Sequence, residues 1–268
     1  MNDPVTEAFF VERHGLFIGN GIARGPWDPT TCHAGPPTGL IARALELRVP
    51  GRRLVRLTVE LNRPIPMAGF TIDTDSTRSG RGVTTTSATL ATADGTACAI
   101  AYGLHMEPTS QPHLPTAPGN PTDLGLAKPG PFPIATGLHD QAQFGKAVEA
   151  RYPPDQNPAP GPTTVWLKTP ALLAGEDPTP FQRLCPIADC GNAFSRNAEP
   201  ADVIFVNPDL TISMHREPIG RWLGSSSISH WHDDGIGLAD AELFDEIGPV
   251  GRATQTLLLR RNQPGTSQ

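Results

Sequence analysis

Asp189 stands in a short apolar segment, Leu184 to Phe194 (LCPIADCGNAF), and the positions three and four residues on are Asn192 and Ala193, neither of them a cation. An ionised carboxylate against an apolar wall is costly unless solvated or paired, so burial raises its pKa toward neutrality. A carboxylate of that kind facing a water is the form a general base takes. The simpler role is to cap a helix restarted near Pro186, since proline cannot continue the preceding turn and Asp is favoured in a first turn. Gln255 lies in the run Val250 to Leu259, where alternation puts it on the face of Leu257 and Leu259 and opposite Thr254 and Thr256. A polar amide on an apolar face needs a partner, either backbone or another polar group of a site. Asn207 precedes Pro208 ahead of a strand, a position that ordinary turn chemistry also explains.

Other arrangements fall short of the chemistry they suggest. Gly224-Ser225-Ser226-Ser227-Ile228 lacks the second glycine of a serine nucleophile turn and reads as strand. His230, His232, Asp233 and Asp234 have no further ligand at suitable spacing and read as a solvated hairpin turn. Gly19-Asn20-Gly21 and Gly80-Arg81-Gly82 are not followed by a helix, as a dinucleotide site requires.

The elements that must position these residues belong to a chain of 268 residues, enough for one large unit or two small ones. Thirty Pro predict long extended connections and few uninterrupted helices, which excludes a helix bundle. With 21 Lys and Arg against 27 Asp and Glu, the net charge of −6 comes without a basic block, so nucleic acid is not an expected partner. No stretch reaches membrane-spanning length, and Asp3, Glu7, Glu12 and Arg13 occupy the place of an apolar signal core. The expectation is a soluble, cytoplasmic protein with no membrane partner. Cys32, Cys98, Cys185 and Cys190 read as reduced thiols, since no histidine follows the one C-x4-C pair at zinc spacing.

A Pro-rich middle, with 13 prolines between Pro108 and Pro162, divides the chain into residues 1–107, a linker or surface excursion over 108–162, and 163–268. Within it, Leu138 to Arg151 reads as one short helix. In the first half, Leu40, Ile41, Ala44, Leu45 and Leu47 form a helical stripe over about 38–49. Val55, Leu57, Val59 and Leu61 then alternate with polar residues as a half-buried strand. Strands follow at about 70–77, 82–92 and 96–106, the last two joined by Asp94-Gly95, a dipeptide suited to the positive dihedrals of a tight turn. At a fixed offset of 153 residues the second half repeats this order: Leu57, Thr58 and Arg63 fall on Leu210, Thr211 and Arg216, and Leu90 and Gly95 on Leu243 and Gly248. An internal duplication of an α+β unit, in which a sheet wraps a helix, is the consequence. Under the same offset Asp189, Asn207 and Gln255 fall on Pro36, Leu54 and Tyr102, so one polar site per chain is expected.

HAGPPTGLIARAL, a strand ending LNRPIP, the DG hairpin, and then FQRLCPIADCGNAF, VNPDLTISMHREPIGRWL and VGRATQTLLLRR together resemble the double-hotdog acyl-CoA thioesterases related to bacterial thioesterase II. The resemblance covers nearly the whole chain outside the Pro-rich middle. It implies an α+β fold of two hotdog units with fused sheets, a groove for an acyl thioester, and a homo-oligomer. It also implies an Asp, a hydroxyl residue and a Gln that hold a hydrolytic water. Position by position the Asp matches Asp189 and the Gln matches Gln255. The hydroxyl position matches Asn207, a departure: an amide can hold a water and a carboxylate oxygen but cannot relay a proton. Gly35 is the candidate backbone oxyanion donor and His33 a candidate for lining the groove, although a lone histidine in a loop is more often plain surface. No metal or organic cofactor is implied; coenzyme A enters only as part of the substrate. The alternatives are a non-catalytic acyl-thioester-binding protein and an enoyl-thioester hydratase or dehydratase, although the GD-x-NP-x-H arrangement of hotdog hydratases is reduced here to Asn207-Pro208-Asp209.

Overall fold

A computed structural model describes residues 8–117, 119, 122–134 and 141–262. Two short strands, β1 (Phe10–Arg13) and β2 (Leu16–Gly19), lead to α1 (Gly35–Arg48). Pro36 and Pro37 occupy the first turn of α1, where a missing N–H removes no helical bond, and Leu40, Ile41 and Leu45 are fully buried. Strands β3 (Arg53–Leu61), β4 (Phe70–Ser79), β5 (Val83–Thr92) and β6 (Ala97–Met106) follow as the alternation requires. Of the Asp94-Gly95 pair only Gly95 takes a positive φ (86°). The loop closes through Thr92 N–H to Thr96 O (3.0 Å), so it is longer than a two-residue turn and needs one left-handed residue.

The second half carries β9 (Thr163–Lys168), α3 (Pro180–Ala188), α4 (Gly191–Phe194), β10 (Val203–Val206), β11 (Asp209–Met214), β12 (Leu223–Trp231), β13 (Ile236–Asp245) and β14 (Gly248–Arg261). The Pro-rich stretch contains β7 (Lys128–Gly130), the one-turn helix α2 (Phe144–Ala147) and β8 (Glu149–Tyr152), which pairs with β9. The helix expected over 138–151 is therefore corrected. Residues 138–140 lie outside the described residues, and beyond α2 the alternating Ala150 and Tyr152 bury one face of a strand instead.

Strand order in the sheet is β1-β2-β4-β5-β6-β3-β11-β14-β13-β12-β9-β8-β7, with β10 paired to the far end of β14. Apart from β7 and β10 the order is a palindrome, as a duplicated unit joined along β3 and β11 must give. Thr58 and Thr211, equivalent under the 153-residue offset, are also the residues that face each other across that join, with Oγ1 to Oγ1 of 3.2 Å. Two helix-wrapped antiparallel sheets fused side by side thus form the expected double hotdog. The core lies between each helix and the concave face of its sheet, centred on Leu40, Leu45, Leu184, Ile212 and Leu243.

The fixed offset fails at two places that matter. Thr58 pairs with Tyr102 and Thr211 with Thr254, so the counterpart of Gln255 is Gly103 and not Tyr102. A slip of one residue changes the face of a strand, and accordingly Tyr102 is exposed while Gln255 is buried. The helix-to-strand connection runs over 49–52 in the first unit and 195–208 in the second, so no single offset aligns α1 with α3.

Helices α1 and α3 lie antiparallel against each other. At one end Glu46 accepts hydrogen bonds from Thr179 Oγ1 (2.9 Å) and Gln182 Nε2 (2.7 Å). At the other, a Cβ on Gly35 would come within 2.9 Å of Pro186 Cα and 3.2 Å of Asp189 Cβ. Only glycine admits so close a backbone approach.

Candidate active site

Asp189 follows the last turn of α3, which runs through Pro186 rather than starting there. The residue thus sits at the carbonyl end of a helix and not in a first turn, which corrects the capping alternative. Negative charge is disfavoured at that end, and burial of the side chain disfavours it further. Burial accordingly pushes the carboxyl up to about 7, against hydrogen bonds from Asn207, Gly35 and Gln255 that favour the charged form.

Asn207, in the turn between β10 and β11, donates from Nδ2 to Asp189 Oδ1 (3.0 Å) and to Asp209 O (3.2 Å). Gln255 points inward from β14 and donates from Nε2 to the same Oδ1 (3.3 Å) and to the main-chain carbonyl of Asp189 (3.2 Å). Gln255 Oε1 accepts the N–H of Asn192 (3.0 Å), and Asn192 Nδ2 donates to Asn207 Oδ1 (3.2 Å). One carboxylate oxygen is thereby held by two amide donors, and both amides are tied to α4.

The other oxygen, Oδ2, lies 3.2 Å from His33 Nδ1. His33 precedes α1 and stacks on Phe144 of α2, with ring centroids 4.0 Å apart and 16° between planes. The N–H of Gly35 also donates to Nδ1 (3.2 Å). A neutral imidazole nitrogen that accepts carries no proton of its own, so in this arrangement the proton between Nδ1 and Oδ2 belongs to the carboxyl. Burial lowers the His33 pKa to about 3, which keeps the ring neutral at physiological pH. Cys190 Sγ approaches His33 Nε2 (3.9 Å) but donates to Pro186 O (3.1 Å), and burial pushes its thiol well up. A Cys-His-Asp line is therefore present in outline, with an unreactive thiol at its end.

His33, Asp189, Asn192 and Asn207 line a cavity of about 370 Å³ whose apolar wall includes Trp27, Phe132, Ile134, Phe144, Ala193 and Phe205. Trp27 and Phe205 meet edge to face, with centroids 6.1 Å apart. Gln255 and Gly35 are not in the wall and reach Asp189 and His33 from behind. A larger groove, about 660 Å³ and lined by Lys146, Lys168 and Arg221, shares only Gln143 with this cavity and holds none of the site residues. Among the described residues no group of three or more His, Cys, Asp and Glu is placed to hold a metal ion.

Asp189, Asn207, Gln255 and His33, singled out in the sequence, thus meet around one carboxylate. Gly35 lies beside them with its N–H turned to His33. Two contributors were not singled out. Asn192 carried a usable signal, its spacing of three from Asp189, whereas nothing in the Pro-rich stretch pointed Phe144 at His33.

A family model described as the acyl-CoA thioesterase N-terminal domain matches residues 23–106, and one described as the acyl-CoA thioesterase C-terminal domain matches 116–259. No curated protein matches the chain in sequence. Among solved structures, a proposed thioesterase of Novosphingobium aromaticivorans is similar with a TM-score of 0.71 and 18% identity, covering 94% of this chain and 98% of that one. A proposed thioesterase II of Thermobifida fusca gives 0.70 at 17%, covering 98% of each chain. An acyl-CoA thioesterase II of Mycobacterium marinum gives 0.60 at 16%, covering 96% of this chain and 95% of that one. At these identities the likeness carries the fold alone.

Proposed function

The chain belongs to the acyl-CoA thioesterase family, and on that premise we propose that it hydrolyses an acyl thioester by attack of water, with Asp189 as general base. The observation that carries this reading is the division of labour on Asp189. Asn207 and Gln255 occupy Oδ1, so Oδ2, which faces His33 Nδ1 at 3.2 Å, is the oxygen that takes a proton when Asp189 is ionised, and Asp189 is part of the cavity wall. A base whose pKa lies near working pH takes the proton of the attacking water and returns it to the departing group. The water oxygen bonds to the thioester carbon, Oδ2 takes its proton, the C–S bond breaks, and that proton goes to the thiolate. Loss of the hydroxyl at position 207 is compatible with this route, because Asn207 only donates to the carboxylate and relays nothing.

Gly35 is the oxyanion donor of this scheme; its N–H faces His33 Nδ1, and taking up the thioester oxygen requires that bond to be given over. The apolar wall of Trp27, Phe132, Ile134, Phe205 and Ala193 takes the acyl part. Homo-oligomerisation belongs to the same proposal. It is supported by an exposed row of Val206, Leu258 and Ile236 on adjacent strands of the second sheet.

The test is thiol release from short, medium, long and aromatic acyl-CoAs by the wild-type chain and by Asp189→Asn. Turnover abolished by the substitution supports the hydrolase. Binding of every thioester without turnover would replace it with the acyl-thioester-binding reading.

A further inference from the structure

Two primary amides converge on one carboxylate oxygen, and an amide, unlike a hydroxyl, serves as a donor in only one of its two orientations. Turned over, Asn207 or Gln255 would set a carbonyl oxygen against Asp189 and repel its charge. Each donor end is anchored on a main-chain carbonyl, Asn207 on Asp209 O and Gln255 on Asp189 O, and Asn192 meets the acceptor end of both. Its main-chain N–H can only donate, so the atom of Gln255 it meets at 3.0 Å is the oxygen, which sends Nε2 to Asp189. Its side-chain Nδ2 meets Asn207 Oδ1 at 3.2 Å, and with the Asp209 carbonyl, which can only accept, this keeps Asn207 Nδ2 on the same oxygen. Asn192 is buried in the four-residue helix α4 directly after Asp189, so acid and clamp share one rigid turn. Gly191 completes the fit: a Cβ there would lie 3.1 Å from Gln255 Oε1.

We infer that Asn192 is a positioning residue of the site, locking Asn207 and Gln255 so that both donate to Asp189 Oδ1 and leave Oδ2 as the proton acceptor. The inference rests on the proposed hydrolysis for its meaning in turnover, but its geometry concerns Asp189 alone. Asn207 has a second anchor in the carbonyl of Asp209, so loss of the Asn192 side chain loosens its donor without removing it. The titratable groups around Asp189 are His33 from the turn before α1, Cys185 of α3 and Cys190 beside it. Both thiols are pushed well up and His33 down, so none of the three changes charge in the range where Asp189 titrates.

The experiment is a titration of Asp189 in the full chain, followed by 13C NMR of carboxyl-labelled Asp and assigned by its absence in Asp189→Asn. Asn192→Ala should raise the midpoint by up to about one unit, the scale on which a hydrogen bond to a charged group acts. Asn192→Asp should raise it further, because a second carboxylate adds like charge and draws the Asn207 amide away. Asn192→Ser, the milder change, replaces Ala if that variant does not fold. The acid limb of kcat/KM on the acyl-CoA that the wild type turns over best should move by the same amount. The main-chain N–H that holds Gln255 is unchanged in these variants, so a midpoint unmoved in folded Asn192→Ser and Asn192→Asp would overturn the positioning role of the Asn192 side chain, whatever the activity. A moved midpoint in a protein that turns over no thioester would uphold the role and overturn the hydrolase reading instead.

Discussion

His33 Nδ1 lies 3.2 Å from Asp189 Oδ2, and the same nitrogen receives the N–H of Gly35, the residue whose missing side chain lets α1 meet α3. The contact joins the two halves of the duplicated chain at the polar cluster around Asp189. It also makes the protonation state of a single carboxyl the property that controls the site.

The pH dependence follows from that property. Asp189 must be ionised to act as a base and its pKa is raised to about 7, so kcat/KM should fall about tenfold per pH unit below 7 and level off above it. His33, held near 3, should add no inflection between pH 5 and 9. A flat profile from pH 5 to 9 would remove Asp189 as the base.

Replacing the carboxyl by its neutral isostere should separate activity from stability. Asp189→Asn is expected to lower kcat by about 10²–10⁴-fold, the range for loss of a general base. The folded-state pKa lies above the usual value of 3.8. The group therefore stabilises the fold fully only below the unfolded pKa, and that stability is lost as pH rises through about 7. An amide has no such loss: its oxygen can accept from Asn207 and Gln255, and its NH2 can face His33 Nδ1. Its melting temperature should exceed that of the wild type at pH 8, with the gap closing toward pH 5. A variant less stable than wild type at pH 8 would contradict the assignment of burial as the dominant influence.

Loss of the imidazole while keeping the stacked ring isolates its polar role. His33→Phe retains an aromatic face for Phe144 but takes the Nδ1 acceptor away from Oδ2 and from the Gly35 N–H. We expect a lowered kcat with KM changed less than threefold, read from steady-state kinetics. A purely structural histidine would instead show as a fall in melting temperature with kcat intact.

The clearance at Gly35 predicts an overpacking cost. Gly35→Ala places a methyl 2.9 Å from Pro186 Cα, so either helix must shift, at about 1–3 kcal/mol. Chemical denaturation should report that loss, and turnover should fall with it because Asp189 Cβ is the next neighbour at 3.2 Å. An unchanged midpoint would mean that the helices sit farther apart than described.

Chain-length choice should be set by the wall around Ala193. Ala193 packs with Ile134 and Phe205 in the cavity lining, so Ala193→Phe fills space there while leaving the Asp189 carboxyl in place. Turnover of long acyl-CoAs should fall far more than turnover of short ones across a chain-length series. A parallel loss on all lengths would place the acyl chain elsewhere.

Much of this was legible in the sequence because it rests on local rules. Alternation at Val55 to Leu61 and the proline-led stripe at Leu40 to Leu45 specify a strand and a helix wherever they occur. The repeat of that order, with Thr58 falling on Thr211, specified a duplicated unit. The residue types at 189, 207 and 255 marked a polar set on apolar elements.

Tertiary structure decided the rest, for reasons that distance along the chain cannot encode. Gln255 has Gly103 and not Tyr102 as its counterpart because strand register is a property of the pair, and one slipped residue exchanges inside for outside. Phe144 reaches His33 from a proline-rich stretch, more than a hundred residues along the chain, whose path no periodicity describes. Asn192 became a clamp only when α4 was set against β14 and the turn before β11. The sequence alone determined a doubled helix-and-sheet unit and named its polar residues. Their meeting on a single carboxylate, with one oxygen held by two amides and the other facing His33, was decided by packing, because angles and separations of that kind exist only between elements already in place.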